Sequence, residues 1–230
     1  DYSFPNEAEE VIDGNFDAGN FDAWNYSPDE FWSGVVRARV EISNGALQFS
    51  HGTRNGYQAP SGWGYTSYVY QELDVSDKNL VNLLANGLAV NHVAGGYAGV
   101  LRVGLSTVPP DTNNQNFISA GATYTRTTNW NPTMFDIQTT GGDSAYLEWT
   151  VAVDGTNATD KELIGIDLSG VNTIYLIVIS FNESYVANSA QLAEETNVVD
   201  NISITNTVNN NMLVANPGNE TNSSTWNSYK

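Results

Sequence analysis

Val35-Val36-Arg37-Ala38-Arg39-Val40-Glu41-Ile42, followed by Ser43-Asn44-Gly45 and then Ala46-Leu47-Gln48-Phe49-Ser50, is the stretch that decides the fold. Val36, Ala38, Val40 and Ile42 fall on one side of an extended chain, with Arg37, Arg39 and Glu41 on the other. A period of two with one apolar side is the signature of a half-buried strand. Asn44-Gly45 supplies the two residues that tolerate positive φ in a tight hairpin turn, so residues 46–50 return as the partner strand.

Outward from this hairpin the same pattern recurs. Strands are expected over residues 65–75, 87–93, 98–105, 117–127, 133–139, 145–153, 172–181 and 198–205. Turn clusters punctuate them at Gly95-Gly96, Pro109-Pro110-Asp111, Gly141-Gly142-Asp143 and Asp154-Gly155. Many short strands between regular turns indicate an all-β sandwich or barrel. Helix is scarce. Residues 76–86 offer an N-cap Ser76, apolar Leu80, Val81, Leu83 and Leu84, and a closing Gly87, which predicts a short helix. Residues 185–195 are a weaker helical candidate.

The chain has 230 residues, 8 Lys+Arg against 26 Asp+Glu, and a net charge of −18. With 40% hydrophobic and 11% aromatic residues it is rich enough in apolar side chains to bury a core, unlike a disordered acidic chain. Its charge repels nucleic acid and anionic membrane surfaces. The longest apolar run, residues 174–179, has strand length, so no membrane insertion is expected. The absence of cysteine excludes disulfides, thiol catalysis and thiolate metal sites. Asn 29, Thr 20 and Ser 19 carry most of the polar surface, which fits an extracellular or cell-surface protein. No initiator Met and no leader-like segment begin the sequence, so it reads as a mature chain. Nine acids precede the first base, Arg37, and residues 1–10 read as an acidic arm.

The segment Ile12-Asp13-Gly14-Asn15-Phe16-Asp17 followed by Trp24 resembles the opening of jelly-roll carbohydrate-binding modules of the family 4/9/22 type. Val198-Val199-Asp200-Asn201-Ile202-Ser203-Ile204 resembles their last strand, and residues 70–75 and 147–151 resemble internal strands. The resemblance covers roughly residues 11–205 and implies a jelly-roll β-sandwich of two antiparallel sheets. It also implies a structural calcium ion joining the first strand to the last, with Asp17 and Asp200 as ligands and Asn15 and Asn201 as added amide oxygens. Calcium takes six to eight oxygens, which carboxylates and carbonyls of adjacent strands supply. The competing reading is that these four residues make local turn hydrogen bonds.

Sugar rings stack on exposed aromatic rings beside amides and carboxylates. Trp32, Tyr57, Trp63, Tyr65 and Trp130 stand in or beside Gly-, Pro- and Asn-rich segments and are the candidate sugar-binding residues. Trp149 alternates with Leu147 and Val151 and is expected in the core, and Trp24 is the structural tryptophan of the resemblance. No enzyme activity is expected: His51 and His92 are the two histidines, and neither accompanies a nucleophile motif. Six Asn-x-Ser/Thr sequons occur, of which Asn219 and Asn222 are the best placed acceptors.

Residues 206–230 form a polar tail carrying Met212-Leu213-Val214-Ala215, which reads as a strand without a sheet. The first functional reading is therefore a self-assembling subunit of an extracellular filament, tubule or layer, donating this strand to the next copy of itself with calcium at the contacts. The alternative is a carbohydrate-binding module of a larger secreted protein, with glycans as partners.

Overall fold

The computed structural model describes residues 11–26, 31–32, 36–53, 64–89, 99–110, 135–150, 157–183 and 195–207. Twelve strands run through them: β1 (Asn25–Tyr26), β2 (Phe31–Trp32), β3 (Val36–Ser43), β4 (Ala46–Thr53), β5 (Gly64–Asp74) and β6 (Leu80–Leu88). They continue with β7 (Gly99–Ser106), β8 (Gln138–Thr139), β9 (Tyr146–Thr150), β10 (Thr159–Asp167), β11 (Thr173–Glu183) and β12 (Glu195–Asn206). All pairings are antiparallel and build two sheets, β1-β5-β11-β7-β9 and β2-β3-β4-β12-β6-β10-β8. The fold is the β-sandwich expected.

The opening hairpin forms as its sequence dictates. Val36 pairs with Thr53 and Ser43 with Ala46 across Asn44 (φ 56°) and Gly45 (φ 72°). Val40 and Ile42 pack on the core, where Leu47 and Phe49 are fully buried. The inner face of the five-stranded sheet contributes Val69, Leu73, Leu101, Val103, Leu105, Leu147, Trp149, Ile174, Leu176 and Val178 to the same core. Each such fully buried side chain contributes about 1.5–3 kcal/mol.

Several expectations change: of the strand expected over residues 87–93 only Gly87 and Leu88 are strand among the described residues, as the end of β6, and of that expected over 133–139 only Gln138–Thr139 is, as β8. Residues 76–86 are not a helix: a turn covers 76–79, and residues 80–88 are strand β6, whose exposure alternates strictly. Val81, Leu83, Ala85 and Gly87 point inward, a period of two that the apolar cluster at Leu80, Val81, Leu83 and Leu84 conceals. β6 lies between β12 and β10, whose ladders satisfy its backbone on both sides. Strand β10 was not expected. Its Asp160, Lys161 and Glu162 carry no alternation, and a register shift between Leu163 and Ile166, around Gly165 (φ 74°), breaks the pattern further. The second helical candidate at 185–195 and the expected strand at 117–127 lie outside the described residues, except that Glu195 opens β12.

Trp149 is fully buried, as its alternation predicts, and its Nε1 donates to the Thr159 carbonyl oxygen at 3.0 Å. Lys161 Nζ lies 5.4 Å from the Trp149 ring centroid and donates to the Glu148 carbonyl oxygen at 2.6 Å. These contacts join β9 of one sheet to β10 of the other.

Candidate functional site

The N-terminal segment 11–24 is held from three sides. The buried Gln71 accepts from Ile12 N at 2.9 Å and donates to the carbonyl oxygens of Ile12 and Ala23 at 3.0 and 2.9 Å. Trp24 packs on Phe16 with ring centroids 5.3 Å apart, and its Nε1 donates to the Asp13 carbonyl oxygen at 3.3 Å. Ile202 N donates to the Gly14 carbonyl oxygen at 2.9 Å, so the segment lies beside β12 where that strand bulges between Asp200 and Ser203. A side chain on Gly14 would meet the Ile202 carbonyl oxygen at 2.0 Å, so glycine is required for this approach.

This docking brings Asp17 and Asp200 near each other. Burial pushes the Asp200 carboxyl above its ordinary value, the Asn201 backbone hydrogen bond opposes the rise, and the charge of Asp17 adds to it. Asn15 Nδ2 donates to Asp17 Oδ2 at 2.8 Å, and Asn201 donates to Asp200 through its backbone N at 2.7 Å and its Nδ2 at 3.0 Å. The four residues named from the resemblance thus gather at the bulge in the middle of β12. Asp13, Phe16 and Asn201 adopt positive φ here, at 52°, 54° and 52°, a conformation that costs each roughly 1 kcal/mol or more. Asp13 Oδ2 is buried without a hydrogen-bond partner among the described residues. No group of three or more acids or histidines poised to hold a metal occurs among the described residues.

A second feature was not singled out by sequence reading. The outer face of the five-stranded sheet carries its own apolar cluster: Tyr68, Phe135, Ile177 and Ile179, with Tyr70, Tyr146 and Tyr175 packed against it. Register sorts the face into rows. Asn25, Tyr70, Ile177, Gly104 and Tyr146 form one; Glu72, Tyr175 and Ser106 the next; Tyr68, Ile179, Arg102 and Glu148 lie on the other side. At the spacing of neighbouring strands, Tyr70 and Tyr146 stand about 14 Å apart across the sheet.

Tyr70 and Tyr175 meet edge to face with centroids 6.2 Å apart, and both are half-buried. The Tyr175 hydroxyl donates to the exposed Glu72; desolvation, then the charge and hydrogen bond of Glu72, then Tyr70, push its phenol above the ordinary value. Phe135 stacks on Tyr146 at 5.3 Å, over Gly104, where a side chain would meet the Phe135 ring at 2.6 Å. Arg102 lies 5.0 Å from the Tyr146 centroid and reaches Glu148 Oε2 through Nε at 2.6 Å and Nη2 at 2.5 Å. Tyr68, Phe135, Ile177, Ile179 and Arg102 are buried, so the accessible part of this face is Tyr70, Tyr146, Tyr175, Glu72 and Glu148, rings beside carboxylates as a sugar ring needs.

Of the aromatic residues named from sequence, Trp32 lies in β2 at the edge of the seven-stranded sheet, and Tyr65 lies in β5 opposite Asn182; their side chains are outside what is described. Tyr57, Trp63 and Trp130 lie outside the described residues, as do Met212, Leu213, Val214, Ala215, Asn219 and Asn222. Tyr70 and Tyr175 are distant in sequence and become neighbours only through the β5–β11 register.

No family model matches the chain, and no curated protein matches it. Among solved structures it is similar to TmCBM61, determined in complex with β-1,4-galactotriose, at 11% identity and a TM-score of 0.45, covering 86% of this chain and 98% of that one. It is similar to the family 11 carbohydrate-binding module of Clostridium thermocellum, determined with a mixed-linked tetrasaccharide, at 15% identity and a TM-score of 0.38, covering 86% and 95% of the two chains. The enzymatically active domain of tailspike protein 4 from bacteriophage CBA120 is similar at 9% identity and a TM-score of 0.40, over 85% of this chain but only 21% of the phage chain.

Proposed function

We propose that this chain is a non-catalytic carbohydrate-binding module of an extracellular protein, and that it binds glycans on the outer face of its five-stranded sheet. The observation that carries the reading is the juxtaposition of the half-buried Tyr70 and Tyr175 with Glu72 on neighbouring strands. Ring faces supply apolar contact to the C–H side of a pyranose, and the carboxylate accepts hydrogen bonds from its hydroxyls. Self-assembly by strand donation rests on Met212 to Ala215, outside the described residues, and no observation here favours it.

The test is retention on insoluble or gel-embedded polysaccharides with Tyr70→Ala and Tyr175→Ala. Each substitution removes a stacking surface and should weaken binding about tenfold, with the circular dichroism of the fold retained. Unchanged retention of both variants on every polysaccharide that holds the parent protein would place the site elsewhere.

Calcium belongs to the same proposal as a structural ion. Asp17 and Asp200 would hold it, with Asn15 and Asn201 as supporting oxygens, and it would neutralise the charge that burial and proximity make costly at Asp200.

A further inference from the structure

We infer that the aromatic face discriminates against anionic glycans and that Glu72 sets this preference; the inference rests on the glycan-binding reading above. A sugar lying on Tyr70 and Tyr175 lies beside Glu72, the cross-strand neighbour of Tyr175. Asp74 follows on the same side of β5, exposed and opposite Thr173. The hydrogen bonds from Ser76 hold its carboxyl below the ordinary range, so it is charged at neutral pH. Among the described residues of this face Arg102 is the one cation, and it stands on the far side of the Tyr70–Ile177–Gly104 row. Both its Nε and its Nη2 engage Glu148 Oε2, so its charge is compensated before a ligand arrives.

Glu72, Asp74 and Glu148 against one guanidinium leave the described face net negative, on a chain of net charge −18. A neutral sugar hydroxyl donates to Glu72. A uronate carboxylate in the same place meets a like charge. At about 6 Å across a partly wet surface that repulsion weakens binding roughly tenfold, and salt screens it.

The experiment measures binding of β-1,4-linked gluco-, manno- and galacto-oligosaccharides, and of the same oligosaccharides with their C6 alcohols oxidised to carboxylates, at low and high salt. The expected result is a roughly tenfold preference for the neutral member of a bound pair at low salt. The preference should shrink to about twofold in high salt and in Glu72→Gln. The ratio within a pair is the readout, because Glu72 also accepts the Tyr175 hydroxyl and its loss lowers binding of both members. Tyr175→Phe keeps the ring and the Glu72 charge and should keep the ratio. Equal binding within pairs, or a ratio that Glu72→Gln leaves unchanged, overturns the charge selection while leaving the glycan-binding reading in place. Binding of no oligosaccharide overturns both.

Discussion

At Asp200 the surroundings oppose the charge of the side chain. Burial raises its carboxyl above the ordinary carboxylate value of 3.8, with the nearby Asp17 adding to the effect. A carboxyl whose pKa is higher in the folded than in the unfolded chain binds its proton more tightly when folded. Its contribution to stability is full below pH 3.8 and is lost as pH rises through the higher folded-state value. Asp74 and Asp167 behave in the opposite sense. Hydrogen bonds from Ser76 and Ser169 lower their values, so their contribution is present above 3.8 and disappears as pH falls. In chelator-treated protein, Asp200→Asn should therefore melt progressively higher than the parent chain as pH rises from about 4 to about 7. Melting midpoints that run parallel across this range would show that Asp200 carries no such penalty. This position was legible in sequence because Asp200-Asn201 resembles a known last strand. Gln71 was not: a buried glutamine that grips the backbone of Ile12 and Ala23 leaves no periodic signal, and only its three hydrogen bonds identify it.

Among the elements, the strands with one apolar and one polar face were the readable ones. Residues 145–153 announced a strand with Trp149 inward, and β9 (Tyr146–Thr150) places that ring in the core. β6 was misread because Leu80, Val81, Leu83 and Leu84 follow helical spacing and hide the alternation of the inward Val81, Leu83 and Ala85, which only pairing with β10 and β12 brings out. The same dependence hid the aromatic face. In β5 the outward side carries Tyr68 and Tyr70 as well as Glu72 and Asp74, while the inward side carries the polar Gln71, so polarity in β5 alone does not mark either side as a surface for a ligand. The pairing of β6 under Trp149 makes a demand that a helix would not: a side chain at Gly87 would meet the Trp149 ring at 2.5 Å. Gly87→Ala should accordingly destabilise the fold by about 2 kcal/mol through overpacking, read as a lower urea midpoint. Gly170→Ala, where no atom lies within 4 Å of the added carbon, suffers only the strain of its positive φ and should cost less. If Gly87→Ala unfolds at the parent midpoint, β6 does not pass under the tryptophan.

At the scale of the molecule, the two sheets divide the chemistry. The aromatic face occupies the outside of the five-stranded sheet, while the acidic residues gather where segment 11–24 meets the bulge of β12 in the seven-stranded one. A net charge of −18 repels itself throughout the compact state, and any salt relieves that repulsion by screening. A bound calcium ion acts differently, because it is held by the folded chain and not by the unfolded one, and so stabilises by mass action at millimolar concentration. The two effects separate in one series of melts. Sodium chloride should raise the midpoint gradually. Calcium chloride at matched ionic strength should raise it further, and EDTA should reverse the excess. Asp17→Asn and Asp200→Asn should each remove the calcium-specific increment while retaining the response to sodium chloride, since each deletes one of eighteen net charges but one of only two carboxylates proposed to hold the ion. Calcium that does no more than sodium chloride at equal ionic strength would reduce Asp17 and Asp200 to turn residues held by Asn15 and Asn201, the competing reading their hydrogen bonds equally allow.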